Sequence, residues 1–556
     1  MPPIEITATL QALQLSIESI EDEKVREGFV RLLNLVESLA GENVQLREEN
    51  QKLKDEINRL KGEQGKPEIK GKKHQGEDIS SEKERRGNSK SKGQSARRKR
   101  GSKRTYIKIN RVQTCSVDRN ELPSDAVFKG YERVIIQDLQ IVTDTIEFKR
   151  EIFYSSSQKR TYRGQLPRGY QGAFGPGIKA LIVAMKHQCN MSQPKILEFL
   201  HTFGVDISRA YIATLLTDDQ GIFHAEKAEL YRAALTCGAY QQIDDTSARV
   251  NGENHYTQIL CNALYTVYFT TAHKDRLTIL DVLRDFAPRQ FIVNDQTLSL
   301  LEHLGLSQKL IVRLEAVENE RLFNEQEFNE QLDRVKPGER QRRRILEAAA
   351  IAAYHQDTEI PGVKLLLSDD AGQFKLLTDE GALCWVHDGR HYKKLSPLVP
   401  QHQEKLDEFR KAYWAFYDQL ARYKDQPIPA EANRLSEEFD RLFSTQTGYE
   451  QLDERIAKTR AKKRALLMVL RHPELPLHNN AAELAARAQA RARDVSLHTK
   501  SNAGTQAKDT FMSLVDTAKK LGVNVYDYFY DRISGKFTLP SLAQLIREKS
   551  TPAATT

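Results

Sequence analysis

Two acidic turns, each at the end of an apolar run, constrain the fold of this chain most. In the stretch from Val363 to His387, VKLLLSDDAGQFKLLTDEGALCWVH, three leucines run into Ser-Asp-Asp-Ala-Gly. This pattern is typical of a buried strand that breaks at its carboxyl end, where open α/β sheets present their ligands. The same pattern occurs in QQIDDT. Asp244 and Asp369 are therefore predicted to lie on, or at the end of, two core strands.

The order of elements around these acids predicts the fold class. QQIDDT is followed by strand-like runs at 255–261 and 264–272, a helix from Leu277 to Phe286, the strand before Asp369, and ALCWV. Three strands, a helix and two more strands are the order of a ribonuclease H-like core, so we expect an α/β fold with helical insertions. Asp295 also ends a strand-like run, FIVND, but leads into a helix. Asp369 is therefore preferred as the second acid.

A third acid follows on a predicted helix, in the stretch HNNAAELAAR. Asn480 can cap this alanine-rich helix, and Glu483 and Arg487 are then i, i+4 neighbours on one face. Glu483 is the candidate third carboxylate of the site.

These three blocks resemble those of bacterial DDE transposases of the insertion sequence 66 type. QIDDT, LLLSDDAGQF with ALCWVH, and HNNAAELAAR stand in the family's order, and the similarity runs from roughly residue 30 to 535, including LVDTAKKLGVNVYDYF. The resemblance implies a DNA transposase with Asp244, Asp369 and Glu483 as its catalytic triad. Two features depart from the family pattern. Leu484 follows Glu483 where the family often has arginine, and the family's cysteine-rich zinc module is missing.

Converging carboxylates repel one another unless a divalent cation lies between them. Hard oxygen ligands with open positions favour Mg²⁺ or Mn²⁺, and two such ions ~3.5–4 Å apart can cut and join phosphodiesters. We expect Asp244 to bridge the ions, with Asp369 and Glu483 holding one ion each. The alternative is that these are ordinary turn acids and that Glu483 is a partner of Arg487. Four further residues are expected near the active site: Asp245, Asp370, His387 and Asn480.

A zinc site is not predicted. Cys384, His387 and His391 form a C-x2-H-x3-H pattern, but no fourth ligand is evident and Cys384 belongs to an apolar run.

The amino-terminal region carries a strong coiled-coil pattern. Leucines recur every seven residues from Leu32 to Leu60, and Asn43 and Asn50 occupy alternate core positions. Leucine with interspersed asparagine favours a parallel two-stranded coiled coil, which predicts a homodimer, with higher assembly on DNA possible. The alternative is an amphipathic helix that packs on its own domain.

Residues 66–108 hold 16 Lys or Arg against 5 acidic residues, a larger excess than the whole chain's net charge of +8. Such a segment cannot fold alone, and its basic run is predicted to contact DNA phosphates nonspecifically. The alternative is a solvating linker. The DNA-binding candidates here are Arg97, Arg98, Lys99 and Arg100.

Residues 111–175 alternate polar with apolar and predict a small β-unit of unknown role. Helices follow, with a turn at Gly204 and a cap at Ser208, which is helix-turn-helix spacing. Arg209 and Tyr211 would then project where such motifs meet base edges. A three-helix unit with no DNA role has the same spacing.

The length of 556 residues suggests several domains. The predicted domains are a leucine-zipper coiled coil (1–62), a disordered basic linker (63–110), a small β-rich unit (111–175), a helix-turn-helix DNA-binding domain (176–225), a DDE core (226–535) with insertions at about 291–360 and 400–472, and a tail (536–556).

Five cysteines without framework spacing and no long apolar run predict a cytoplasmic protein without membrane contact. The resemblance to bacterial DNA transposases implies that it is nucleoid-associated. The expected partner is double-stranded DNA, as element terminal repeats and as target. Two rival functions remain: a ribonuclease H-like nuclease, and a noncatalytic DNA-binding regulator.

Overall fold

The computed structural model of the protein describes residues 21–60, 109–118, 122–123, 125–218, 220–317, 320–358 and 362–550. The basic run with Arg97, Arg98, Lys99 and Arg100 lies outside these residues. The first described element is a long helix, α1 (Glu23–Leu60), which covers the predicted heptads.

Helix α1 has two faces with different surroundings. Leu33, Glu37 and Ala40 are buried, whereas the heptad leucines Leu39 and Leu46 are 51% and 55% exposed. The buried face packs against a later helical insertion, because Asn34 Nδ2 donates to the Gly448 carbonyl. Part of α1 therefore packs on its own chain, while the heptad face stays exposed.

The segment predicted as a small β-unit holds one antiparallel hairpin among its described residues, β1 (Ile152–Ser155) with β2 (Arg160–Arg163). The described part of 111–151 has no regular strand, contrary to the alternation in its sequence. Ile136 and Val142 are each 83% exposed there. Alternation predicts a strand when a partner covers the apolar side, and among the described residues these two side chains stay uncovered.

Four helices come next and include the predicted helix-turn-helix pair. Gly204, in the turn before Arg209, has a φ of +71°, a value that only glycine adopts readily. The Ser208 hydroxyl accepts a hydrogen bond from the Tyr211 amide (3.1 Å), as the predicted N-cap requires. The helices are α2 (Pro176–His187), α3 (Gln193–Thr202), α4 (Arg209–Thr217) and α5 (Gly221–Cys237).

A five-stranded mixed sheet forms the centre of the molecule, in the order β5-β4-β3-β6-β7. The first three strands are antiparallel, and β6 and β7 continue the sheet in parallel with β3. The strands are β3 (Gln241–Val250), β4 (Glu253–Cys261), β5 (Thr266–Thr271), β6 (Leu365–Ser368) and β7 (Glu380–Leu383). The elements follow the predicted order, and the overall class is α/β.

Five helices connect β5 to β6. The predicted strand at FIVND is wrong: Phe291 forms an isolated bridge to Phe323, and the Asn294 side chain accepts from the Thr297 amide and so starts a helix at Asp295. The helices are α6 (Arg276–Leu283), α7 (Asp295–His303), α8 (Gln308–Glu315), α9 (Glu325–Val335) and α10 (Glu339–Gln356).

A second set of helices follows β7 and has its own aromatic core. The apolar run ALCWV was predicted as a strand, but β7 ends at Leu383 and Trp385 begins a helix. The reason is tertiary: the fully buried Trp385 ring packs between Tyr413 and Phe416, and its indole nitrogen donates to the Leu466 carbonyl (2.8 Å). The helices are α11 (Trp385–Lys394), α12 (Pro400–Asp425), α13 (Pro429–Leu442), α14 (Glu450–Arg460) and α15 (Lys463–Leu466).

The chain closes with four helices on the sheet and on the helices before it. They are α16 (Asn480–Ser496), α17 (Asn502–Leu521), α18 (Val525–Ile533) and α19 (Leu542–Ser550). Helix α19 lies in the predicted tail, yet Leu542 and Ala543 are fully buried in the main core. Across the described residues, no helix has the length and apolarity to cross a bilayer.

Candidate active site

Two neighbouring strands place Asp244 and Asp369 side by side. Strands β3 and β6 are parallel, with Gln242 paired to Leu367. Two residues further along each strand, the same register sets Asp244 opposite Asp369, the first residue after β6. Neighbouring strands lie about 4.8 Å apart, so the two acids share one edge of the sheet.

Asn479 brings the third acid to the same place. Its side chain is fully buried and its Nδ2 donates to the carbonyl of Ile243 (2.8 Å), the residue before Asp244. Helix α16 begins at the next residue, and Glu483 lies buried in its first turn. Asn479, not Asn480 as predicted, therefore occupies the N-cap position, and it fixes the start of the helix beside β3.

The electrostatics agree with a cluster of carboxylates. Burial, and then the neighbouring Asp369 carboxylate, raises the pKa of Asp244 to about 7, and Asp245 and Glu483 act in the same direction. The Asp245 amide donates to Asp244 Oδ1 (2.9 Å) and partly offsets this rise. Because a raised acid pKa reports unfavourable negative charge, a cation at this position would relieve the repulsion.

The second acid of each Asp-Asp pair is neutralised by lysine. Lys274 Nζ lies 3.2 Å from Asp245, and Lys462 Nζ lies 2.6 Å from Asp370. Lys375 holds the other oxygen of Asp370 at 2.7 Å. These two acids, predicted to lie near the site, therefore have their partners within the protein.

The first acid of each pair is different. Within the part of the chain that the structure describes, neither Asp244 nor Asp369 forms an ion pair with a lysine, arginine or histidine. Asp369 Oδ1 accepts a hydrogen bond from the Ala371 amide (3.0 Å). The two carboxylates that share the sheet edge are thus without a cationic partner there.

Glu483 is surrounded by basic side chains. Arg390 Nη2 lies 3.4 Å and Arg487 Nη2 lies 3.7 Å from its Oε2 atom. His387 Nδ1 lies 3.5 Å from its Oε1 atom, and Arg390 Nη1 lies 2.9 Å from His387 Nε2. Burial lowers the pKa of His387, with Glu483 opposing this, so the ring is neutral near pH 7.

This arrangement assigns the histidine proton. A guanidinium can only donate, so in the neutral ring His387 Nε2 accepts from Arg390 and Nδ1 carries the proton; Nδ1 approaches Glu483 Oε1 without a hydrogen bond to it. Sequence reasoning found His387 but missed Arg390. The signal was its spacing, three residues after His387 on α11, which puts both side chains on one helix face.

The donor set fits a hard divalent cation. Asp244, Asp369 and Glu483 offer carboxylate oxygens, the ligands that Mg²⁺ and Mn²⁺ prefer. Cys384, His387 and Glu483 also lie close together, with ligand atoms within 4.8 Å of one another. Burial raises the pKa of the Cys384 thiol to about 12, which keeps it protonated and disfavours it as a metal ligand. His391 does not belong to this group.

The residues predicted to contact DNA bases, Arg209 and Tyr211, both lie on α4. Arg209 is the first residue of α4 and is exposed, whereas Tyr211 is half-buried and its ring packs on Phe174, with 4.8 Å between centroids. Arg209 is therefore the more accessible of the two predicted base contacts.

Comparison with known proteins bears on the function. Residues 351–507 match the family model described as "Transposase IS66 family". Over 325 residues, 58% of this chain and the whole length of the relative, the chain is 33% identical to "Uncharacterized protein y4jO" of Sinorhizobium fredii (strain NBRC 101917 / NGR234). The chain belongs to the IS66 family of transposases. No solved structure is similar enough to count as a match.

Membership in the IS66 family confirms the resemblance drawn from the three acid blocks and supports a transposase role. The family match includes Asp369 and Glu483, while Asp244 lies outside residues 351–507. For Asp244, the link to the other two acids rests on the strand register and on the shift of its pKa.

Proposed function

We propose that this IS66-family transposase cuts DNA at the ends of a mobile element and joins them to a target, using Asp244, Asp369 and Glu483. The observation that carries the proposal is the shared register of Asp244 and Asp369 on β3 and β6. Three carboxylates from two strands and one helix meet there, and two of them have no cationic partner among the described residues.

The proposed core is ribonuclease H-like. The sheet order β5-β4-β3-β6-β7, with three antiparallel strands followed by two parallel ones, supports it. A helix carrying the third acid, tied to the first strand by Asn479, completes the arrangement.

Asp244, Asp369 and Glu483 would hold one or two divalent ions, Mg²⁺ or Mn²⁺, with Asp244 between them. Bound ions supply the activation of a water or a DNA 3′-hydroxyl and stabilise the leaving oxygen. Arg390 and His387 orient Glu483, since each approaches one of its oxygens. Lys274 and Lys462 keep Asp245 and Asp370 neutralised, so that these acids do not compete for the ions.

DNA recognition is proposed for three parts of the chain. The exposed Arg209 at the start of α4 would read bases of the terminal repeats, and Arg487 would contact a phosphate near Glu483. The run Arg97, Arg98, Lys99 and Arg100 would hold duplex DNA nonspecifically.

The exposed heptad face of α1 would join two copies in a homodimer.

The first test is loss of the acids one at a time. Asn and Gln keep the shape of Asp and Glu but lack the charge that holds a divalent ion, so Asp244→Asn, Asp369→Asn and Glu483→Gln should each abolish strand cleavage. The measurement is cleavage of labelled duplex carrying the element ends in Mg²⁺ and in Mn²⁺, with DNA binding followed separately. Binding should stay within about threefold of the wild type, because the fold is unchanged.

Asp295→Asn is the matched control, because Asp295 is an exposed acid at the start of α7. This variant should cleave DNA like the wild type. Cleavage by Asp369→Asn together with failure of Asp295→Asn would refute the assignment. A wild type that binds the ends but never cuts would favour the noncatalytic regulator.

A further inference from the structure

Three helices bring basic side chains together beside β3, away from the three acids. Lys186 lies at the end of α2, Arg493 in the last turn of α16 and Lys508 in α17. Lys186 Nζ donates to the Ser496 hydroxyl (2.7 Å), and Arg493 Nη1 donates to the Ser247 hydroxyl (2.7 Å). We call Lys186, Arg493 and Lys508 the basic cluster.

The basic cluster is crowded with positive charge. The pKa of Lys508 is lowered to about 8, mainly by burial; Asp509 opposes the shift, and Lys186 and Arg493 contribute to it. In the described chain none of the three cations forms an ion pair with a carboxylate. Asp509 is the nearby carboxylate that acts on Lys508, and its two oxygens accept from the amide and the hydroxyl of Thr270 (2.6 and 2.9 Å).

A second, independent feature beside the basic cluster is a buried histidine nitrogen that has no hydrogen-bond partner among the described residues. His187 follows Lys186 and stacks on Phe511, with 5.0 Å between ring centroids. Its Nε2 atom is buried and has no hydrogen-bond partner among the described residues. Buried polar groups are almost always satisfied, so an unpaired buried ring nitrogen beside cations that have no carboxylate partner indicates a site for a ligand.

We propose that the basic cluster binds a phosphate of the DNA backbone. Lysine and arginine converging without a carboxylate match an oxyanion, and the Ser496 hydroxyl adds a hydrogen-bonding group. The cluster joins α2, which precedes the helix-turn-helix pair, to α16, which carries Glu483. It would thus hold the DNA between the proposed recognition helix and the proposed site of cleavage.

Helix geometry places this phosphate relative to the scissile one. Ten residues separate Glu483 from Arg493 on α16, which corresponds to about 15 Å along the helix axis. One strand of B-DNA carries a phosphate every ~3.4 Å of its axis, so the contacted phosphate lies roughly four base pairs from the cut. This position rests on the proposed function, whereas the oxyanion site itself does not.

The test uses the full-length protein and the variants Lys186→Gln, Lys508→Gln and the pair together. Each change removes a poorly solvated cation from a repulsive cluster, so the DNA-free protein should melt at an equal or higher temperature. Affinity for end duplex should nevertheless fall roughly tenfold per lysine, and the slope of log K against log salt should flatten by about 1 for the lost phosphate contact. Lys309→Gln, an exposed lysine on α8, is the control and should bind as the wild type.

A duplex with single neutral methylphosphonates, scanned from two to six nucleotides from the cut, locates the contact. One position should weaken wild-type binding roughly tenfold and have no further effect on the double variant. Equal losses in wild type and double variant at every position would overturn the proposal, as would unchanged affinity in the double variant.

A last arm separates DNA from a free anion. Sulfate at matched ionic strength should raise the melting temperature of the wild type more than that of the double variant if the site takes any oxyanion. Sulfate protection without any change in DNA affinity would overturn the assignment to DNA. If Asp369→Asn still cleaves while the methylphosphonate result holds, the proposed catalytic role fails and the phosphate site stands.

Discussion

The four aspartates at the sheet edge differ in their neighbours rather than in their sequence. Asp245 and Asp370 face lysines, while Asp244 and Asp369 face each other across adjacent strands. Side chains alternate along a strand, so Asp244 and Asp245 on β3 point to opposite faces of the sheet. A shift of β3 by one residue would therefore replace Asp244 with the ion-paired Asp245 and dismantle the site.

The pKa of Asp244 predicts how stability depends on pH without metal. Its folded pKa of about 7 lies above the ordinary 3.8, so the folded state binds the proton more tightly than the unfolded state. This contribution to stability is fully present below pH 3.8 and is lost as the pH rises through 7, at up to about 1.4 kcal/mol per pH unit.

In EDTA, the wild type should therefore lose stability relative to Asp244→Asn between pH 5 and pH 8, as measured by urea unfolding. Mg²⁺ at pH 8 should stabilise the wild type and have little effect on Asp244→Asn. Parallel curves for the two proteins at every pH, with or without Mg²⁺, would contradict a strained carboxylate cluster.

His387 is expected to act by positioning Glu483. His387→Asn breaks the chain from Arg390 through the imidazole to Glu483, and loss of such outer partners typically weakens metal affinity or activity by ~10- to 100-fold. The readout is the Mn²⁺ concentration that gives half-maximal cleavage, which should rise while end binding stays the same.

His391→Asn is the matched control on the same helix, because His391 lies outside the group of close metal-capable side chains. An unchanged Mn²⁺ midpoint in His387→Asn, or an equal rise in both variants, would exclude the positioning role.

Among the elements, α1 is held on the rest of the chain by the buried Glu37 carboxylate in addition to the Asn34 contact with Gly448. Glu37 accepts from the Leu398 and Val399 amides (2.7 and 3.0 Å), at the start of α12, and its Oε2 lies 3.2 Å from His402 Nδ1. A carboxylate at a helix amino terminus satisfies amides that have no partner within the helix and complements the helix dipole. The contact fixes α1 to the helical insertion.

Glu37→Ala should therefore detach α1 from that insertion. It leaves two buried amides unsatisfied, at a cost of about 1–3 kcal/mol each in local stability. Hydrogen exchange at residues 398–402 should accelerate. Glu42→Ala, an exposed acid on the same helix, should leave exchange there unchanged. Protection in Glu37→Ala equal to that of the wild type would count against the anchor.

Local sequence patterns correctly predicted those elements whose conformation depends mainly on neighbouring residues in the sequence. Ser208 caps α4 as its type and spacing indicate, and the leucine run before Asp369 forms a buried strand. Patterns failed where distant residues decide. Trp385 lies in a helix and not in the predicted strand, because an aromatic core formed by the insertion surrounds its ring. Asn479 occupies the N-cap position predicted for Asn480, because its side chain donates to the Ile243 carbonyl.

The roles of two further groups of residues were not predicted, for the same reason. Arg390 gains its role from Glu483, which is far away in sequence, and the basic cluster draws on three helices. The alternating segment before β1 shows the converse case, since its sequence favours strands but the described part of the chain provides no neighbouring strand for it.

For the whole molecule, the proposed homodimer depends on the exposed heptad face of α1. Asn43→Leu together with Asn50→Leu removes the polar core positions that favour two strands and should shift the full-length protein toward higher oligomers. Sedimentation velocity measures the change. Glu42→Leu with Glu49→Leu, one position earlier in each heptad, should have a smaller effect. A monomeric wild type at micromolar concentration would end the zipper proposal.

The two faces of α1 also have a geometric consequence. Leu33, on the docked face, directly follows Leu32, on the heptad seam, so the two faces stand about 100° apart around one rigid axis. In a dimer joined along the heptad face, the number of residues between the two contacts on α1 would fix how the two catalytic domains are rotated relative to each other. Seven residues inserted after Ala40 would lengthen α1 by about 10 Å and rotate the later heptads by only ~20° relative to the docked part of the helix. Two inserted residues would rotate them by roughly 200°. The length of this one helix would then set the distance between two paired DNA ends, and the number of its residues would set their relative rotation.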